Sequence, residues 1–146
     1  MKKTLVAAAT VAGLATGAQA DGHAAEKNLV TVVTSAEPQT QLMSMVLTMQ
    51  AVQQGAKTRV LLCGPGGDIA LKDAPDSATA PQPPKGMSPQ GLMTKIIEAG
   101  ATVEVCAIYL PGKDVGPEAL LDGVGVAKPP AMAGAMLADD TIVWSF

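Results

Sequence analysis

A β-branched run, Ala101 to Leu110 (Ala-Thr-Val-Glu-Val-Cys-Ala-Ile-Tyr-Leu), stands between a helix-ending glycine, Gly100, and the pair Pro111-Gly112. It predicts a central strand that delivers Cys106 toward its carboxyl end. In open α/β sheets, ligands and reactive groups gather just outside the carboxyl ends of the strands, where loops and helix N-termini converge. The rest of the chain supplies the partners that such a strand needs. Asn28 to Thr34 is a nearly continuous apolar run of strand length, as a strand covered on both faces requires. Thr58 to Cys63 is a second strand, again with a cysteine at its end, and Val124 to Ala127 and Thr141 to Phe146 read as a fourth and a fifth.

Helical patterns lie between these runs. From Gln39 to Gln54, Leu42, Met45, Val46, Met49 and Val52 recur at helical spacing, and Gly55 follows as a stop. Met43 and Leu47 lie off that stripe, so the apolar surface is wider than one packing face needs and points to a second contact, such as a subunit interface. Met43, Met45 and Met49 read as adaptable core thioethers rather than a copper-binding cluster. Ser88-Pro89 starts a helix with an N-cap and a proline at the first helical position, burying Leu92, Met93, Ile96 and Ile97 before Gly100. Gly116-Pro117 opens a short helix carrying Leu120 and Leu121 and closed by Gly123, and Pro129-Pro130 starts another with Met132 and Met136 four apart. Such alternation predicts one three-layer α/β/α domain over residues 28–146, flavodoxin-like in outline, with a five-stranded, mostly parallel sheet. Residues 72–87, with Pro75, Pro81, Pro83 and Pro84, read as a surface excursion over or beside the carboxyl ends of the strands. Gly64-Pro65-Gly66-Gly67-Asp68 lacks the Gly-Lys-Ser/Thr ending of a phosphate-binding loop, and its minimal reading is a tight turn.

The first twenty residues are of another kind. Lys2 and Lys3, an apolar stretch from Leu5 to about Ala15, and the small-x-small site Ala18-Gln19-Ala20 predict a secretory signal peptide, residues 1–20, cleaved after Ala20. The mature protein is then periplasmic or secreted, and no membrane span remains, since the apolar run falls short of the roughly 20 residues needed to cross a bilayer. Residues 21–27, largely polar, are expected to be a flexible tail. Cleavage would leave Asp21-Gly22-His23 at the new N-terminus, where the amine, two amides and the His23 imidazole offer Cu(II) or Ni(II) a square plane of nitrogens. The chain has 10 basic and 13 acidic residues, two of the basic ones in the leader, and a single arginine, Arg59. No basic footprint for nucleic acid is present. The only histidine is in the tail, which argues against a Ser/His/Asp hydrolase.

The segment Gly100 to Cys106 (Gly-Ala-x-Val-x-Val-Cys), the opening strand and long helix, and the tail Leu120-Leu121-Asp122-Gly123-Val124 through Asp140 to Phe146 together resemble the DsrE-like family of small sulfur-handling proteins. The resemblance covers essentially all of the chain after about Asn28. It implies a five-stranded parallel sheet of order 4-3-2-1-5 and assembly into homo-oligomers (trimers or hexamers); no cofactor is expected. For Cys106 it implies the sulfur-carrying role, as a persulfide, served by sulfur donor and acceptor proteins. The relay members are cytoplasmic, whereas this chain carries an export signal; the Arg-Gly often found after their cysteine is replaced here by Pro111-Gly112-Lys113.

A sulfur carrier needs a thiolate, the form that attacks a donor. Backbone N–H groups at the Pro117 helix would favour the Cys106 anion, Lys113 would stabilise it if its loop folds back, and Glu104, two residues back on the same strand face, would oppose it. In the family's strand order the second and third strands are neighbours, so Cys63, a possible second thiol, comes close enough to Cys106 for a disulfide. The reading carried forward is a periplasmic sulfur carrier or thiol-dependent sulfur-transfer protein loading Cys106. Its alternatives are a non-catalytic binding or assembly protein of the same fold, with Cys63 and Cys106 buried or bridged, and an exported metal-binding protein using His23.

Overall fold

A computed structural model describes residues 27–146. The leader, its cleavage site and His23 lie outside the described residues. Five strands, β1 (Asn28–Val33), β2 (Lys57–Leu62), β3 (Thr102–Val105), β4 (Val124–Val126) and β5 (Thr141–Ser145), form one sheet of order β4-β3-β2-β1-β5. Every pairing is parallel, so the sheet is wholly rather than mostly so. Parallel neighbours need crossover connections, and helices supply them: α1 (Pro38–Gln53), α3 (Pro89–Glu98) and α5 (Pro129–Met136), with the one-turn helices α2 (Asp76–Thr79) and α4 (Tyr109–Gly112). Among the described residues no helix is long and apolar enough to cross a membrane.

Local chemistry sets the helix ends. The Glu37 carboxylate accepts from the N–H groups of Gln39 (3.0 Å) and Thr40 (2.6 Å), which hold its pKa below the usual carboxylate range. The Ser88 hydroxyl accepts from Gly91 N–H at 3.1 Å, as an N-cap does. Pro38 and Pro89 occupy first-turn positions where no N–H is missed. Gly100, at φ +95°, turns the chain from α3 into β3 in a conformation that side chains resist.

The two faces of the sheet are covered unequally. Val33, Val60, Leu62, Val103 and Val105 face α1 and α3 in the main core, joined by Met45, Leu92, Met93 and Ile96. Val30 and Leu61 face the other way, where Met132 of the eight-residue α5 and Ala127 pack on them.

Three sequence expectations are corrected. The central strand does not run to Leu110: it ends at Val105, Tyr109 N–H closes a turn onto the Cys106 carbonyl at 2.9 Å, and Tyr109 and Leu110 enter α4, both buried. The helix at Pro117 is only a 3-10 turn, Pro117–Ala119, because Leu120 leaves it to bridge Leu71 antiparallel and Leu121 N–H donates to the Ala70 carbonyl. The fully covered face of α1 is Gln41, Ser44, Met45 and Thr48, while Leu42, Val46, Met49 and Val52 are half-buried on its flank. The Pro-rich excursion, mostly solvent-exposed, carries α2, whose Ala78 is wholly buried, and with α1 it walls a cavity of about 470 Å³ that neither cysteine lines.

Candidate functional site

Parallel register decides which residues meet at the carboxyl edge. Leu62 of β2 lies beside Val105 of β3, so the next residue on each strand, Cys63 and Cys106, are neighbours. Backbone bonds fix both: Cys63 N–H donates to the Val33 carbonyl at 3.0 Å and Cys106 N–H to the Leu62 carbonyl at 2.8 Å. Their Cα atoms are 5.1 Å apart and the sulfurs form a disulfide, within the roughly 4.4–6.8 Å span that such bonds use. Both residues are half-buried.

The chain leaving Cys63 folds as a 3-10 helix, Gly64–Ala70, rather than a plain turn. Its two central glycines are there for space. A Cβ on Gly66 would fall on the Val33 carbonyl, and one on Gly67 would fall into the ring of Tyr109. With that room the helix carries Asp68 up to α4. The Tyr109 hydroxyl donates to Asp68 Oδ1 at 2.6 Å, and Lys113 Nζ reaches the same oxygen at 2.7 Å. The ammonium also lies 5.8 Å from the Tyr109 ring centroid, in cation–π range. Burial first, then the hydrogen bond and charge of Asp68, push the Tyr109 pKa well above the usual phenol value. Tyr109 is therefore a neutral donor throughout the physiological range.

A cavity of about 460 Å³ opens beside the disulfide, lined by the two cysteines, Gly64, Pro65, Asp68, Ile108, Tyr109, Gly112 and Lys113. Of the residues singled out from sequence, Cys63, Cys106 and Lys113 come together here. The 3-10 turn at Pro117 is not part of the wall; the Ala119 and Leu120 N–H groups donate within the turn, to the Gly116 and Pro117 carbonyls. Glu104 shares the sheet face of Cys106, but its carboxylate is paired with Arg59 at 2.5 Å, which offsets its charge near the sulfur. Among the described residues no three of His, Cys, Asp and Glu come together as metal ligands. Sequence reasoning missed Asp68 and Tyr109. The Gly66-Gly67 pair next to Asp68 carried a signal, because two adjacent glycines after a strand mark close backbone approach.

Strand order and wholly parallel pairing define an α/β protein with the DsrE-like fold that the sequence motifs resemble. Among solved structures, the chain is similar to the YchN protein from E. coli, with 18% identity and a TM-score of 0.64, covering 83% of this chain and 99% of that one. It is also similar to MTH1491 from Methanobacterium thermoautotrophicum, described as a protein of unknown function, with 15% identity, a TM-score of 0.60, and coverage of 82% and 99%. At these identities the likeness shows the fold. No family model and no curated protein sequence matches the chain.

Proposed function

We propose that this protein is an exported, thiol-dependent sulfur carrier in which Cys106 holds a persulfide and Cys63 is its resolving partner. The observation that carries the reading is the disulfide itself. It joins adjacent strand ends and lines an open cavity, where a small nucleophile has access to sulfur. Loading takes either of two balanced routes. Hydrosulfide attacks Cys106 Sγ, the Sγ–Sγ bond breaks, and Cys63 leaves as the thiolate; or, in the reduced protein, the Cys106 thiolate takes the outer sulfur of a donor persulfide and the donor leaves as its thiolate. Delivery reverses these steps: an acceptor thiolate takes the outer sulfur, or the Cys63 thiolate attacks Cys106 Sγ, expels hydrosulfide and restores the bridge. A bridged cysteine pair suits an oxidising compartment, which supports the periplasmic assignment drawn from the leader. Donor and acceptor are proteins or small molecules carrying sulfane sulfur, and copies of the chain associate as a homo-oligomer.

The bridge also favours a second reading, a binding or assembly protein whose disulfide only staples β2 to β3. Intact mass of the mature protein, before and after reduction and exposure to hydrosulfide or polysulfide, separates the two when combined with alkylation mapping. A sulfur atom gained on Cys106 and removed by reductant supports the carrier. A bridge that stays closed to hydrosulfide, together with a reduced protein that takes up no sulfur, rejects it.

A further inference from the structure

The cavity beside the disulfide is larger than a sulfur carrier of bare hydrosulfide needs. Its volume of about 460 Å³ compares with about 30 Å³ for one water and about 300–1,000 Å³ for pockets that hold small organic ligands. The apolar part of its wall is made by Pro65, Ile108 and the Tyr109 ring, and Ile108 is 81% exposed. The one charged feature is asymmetric. The Asp68 side chain is 22% exposed and its Oδ1 is engaged by both Tyr109 and Lys113, whereas Lys113 is 44% exposed. An ammonium has three N–H donors and Asp68 engages one of them. The ion pair therefore presents its positive end to an incoming molecule.

We infer that the cavity admits low-molecular-weight organic thiols and persulfides bearing a carboxylate or sulfonate, with the anionic group on Lys113, the hydrocarbon against Ile108 and Pro65, and the sulfur at Cys106. This rests on the reading of the cysteine pair as exchange-active. The step is thiol–disulfide exchange: the ligand thiolate attacks Cys106 Sγ, the new S–S bond forms as Sγ–Sγ breaks, and the electron pair leaves on Cys63. A mixed disulfide on Cys106 results, with no external oxidant or reductant.

Three thiols of similar size test this: 3-mercaptopropionate, 2-mercaptoethanol and cysteamine, respectively anionic, neutral and cationic beyond the sulfur. The rate at which each opens the Cys63–Cys106 bridge is followed by trapping and intact mass, then corrected for thiolate concentration and thiol basicity. At low salt, 3-mercaptopropionate is expected to react about three- to tenfold faster than cysteamine, with the ratio shrinking as salt screens a partly exposed charge. Lys113→Gln, which leaves the Asp68 carboxylate of the same wall without its counter-ion, brings the ratio to one or below, Lys113→Glu inverts it further, and Lys113→Arg keeps it. Equal corrected rates in the unaltered protein, or a ratio that survives Lys113→Gln, overturns the inference while leaving the exchange reading standing. A bridge that none of the three opens in the folded protein overturns both.

Discussion

Gly67 and Tyr109 are fitted to one another more tightly than either fact of sequence suggests. The ring occupies the place where a Cβ on residue 67 would be, and its hydroxyl ends on Asp68, the next residue along. Gly67→Ala should therefore force the ring off its seat and lower stability by about 1–3 kcal/mol, the usual range for overpacking a tight contact. The midpoint of urea unfolding reads this, and an unchanged midpoint rejects the fit as described. Tyr109 also predicts a pH dependence. Its folded pKa is raised, chiefly by burial, so its contribution to stability is complete below the unfolded value of about 10 and is lost as pH rises through the folded one. The chain has one tyrosine, so phenolate absorbance reports this residue alone. The folded protein should titrate above the urea-unfolded protein, and Tyr109→Phe should flatten the alkaline fall in stability. Coincident titrations in the two states would refute the burial argument.

Among the elements, α1 best shows what the sequence conceals. Its face against the sheet is Gln41, Ser44, Met45 and Thr48, three of them polar; the Ser44 and Thr48 hydroxyls find carbonyls within the helix, and Gln41 Nε2 donates to the Ser35 carbonyl just before it at 2.7 Å. Ser44 Oγ donates to the Gln41 carbonyl at 2.7 Å, and Thr48 Oγ1 lies 2.7 Å from the Ser44 carbonyl and 3.0 Å from the Thr31 hydroxyl of β1. Periodicity of apolar residues cannot find such a face and picks out instead the flank of Leu42, Val46 and Met49. Thr48→Val should leave the Thr31 hydroxyl buried without a partner and lower stability by about 1–3 kcal/mol, while adding Thr31→Val should recover part of the loss. Chemical denaturation of the two variants decides this, and a purely additive second loss would count against the bond. The features that were legible are those that short segments settle: five strands, Pro and Ser at helix starts, Gly55 and Gly100 at helix ends. The length of β3 was not legible, because Ala107 to Leu110 have strand-like composition and are turned by the Tyr109–Asp68 contact, 41 residues apart in sequence. Cys63 and Cys106 could be recognised singly. Their pairing depended on strand order, which came from the family resemblance.

Across the whole molecule the two layers of helix do unequal work, and β5 is where the inequality is felt. It pairs with β1 along one edge only. Asn28 N–H donates to the Asp140 carbonyl, Phe146 N–H to the Val32 carbonyl, and Thr34 N–H to the Phe146 carbonyl, so even-numbered residues of this segment point their backbone at β1 and odd-numbered ones point outward. The N–H groups of Val143 and Ser145 thus face away from the sheet, without partners among the described residues. On that edge strand Ile142 and Val143 are exposed, and Leu47 of α1, itself exposed, lines a cavity with Ile142 and Trp144. An apolar edge strand lacking lysine, proline or a bulge invites pairing or cover. In the homo-oligomer proposed above, a second copy of the chain would supply that cover. Sedimentation velocity of the mature protein should accordingly show a species larger than a monomer. Val143→Lys, which sets a charge on the edge without touching the main core, should shift it toward monomer while circular dichroism stays unchanged. A monomeric unaltered protein, or a variant that assembles as before, would mean that β5 is not the assembling edge, and the exposed apolar surface would then need another occupant.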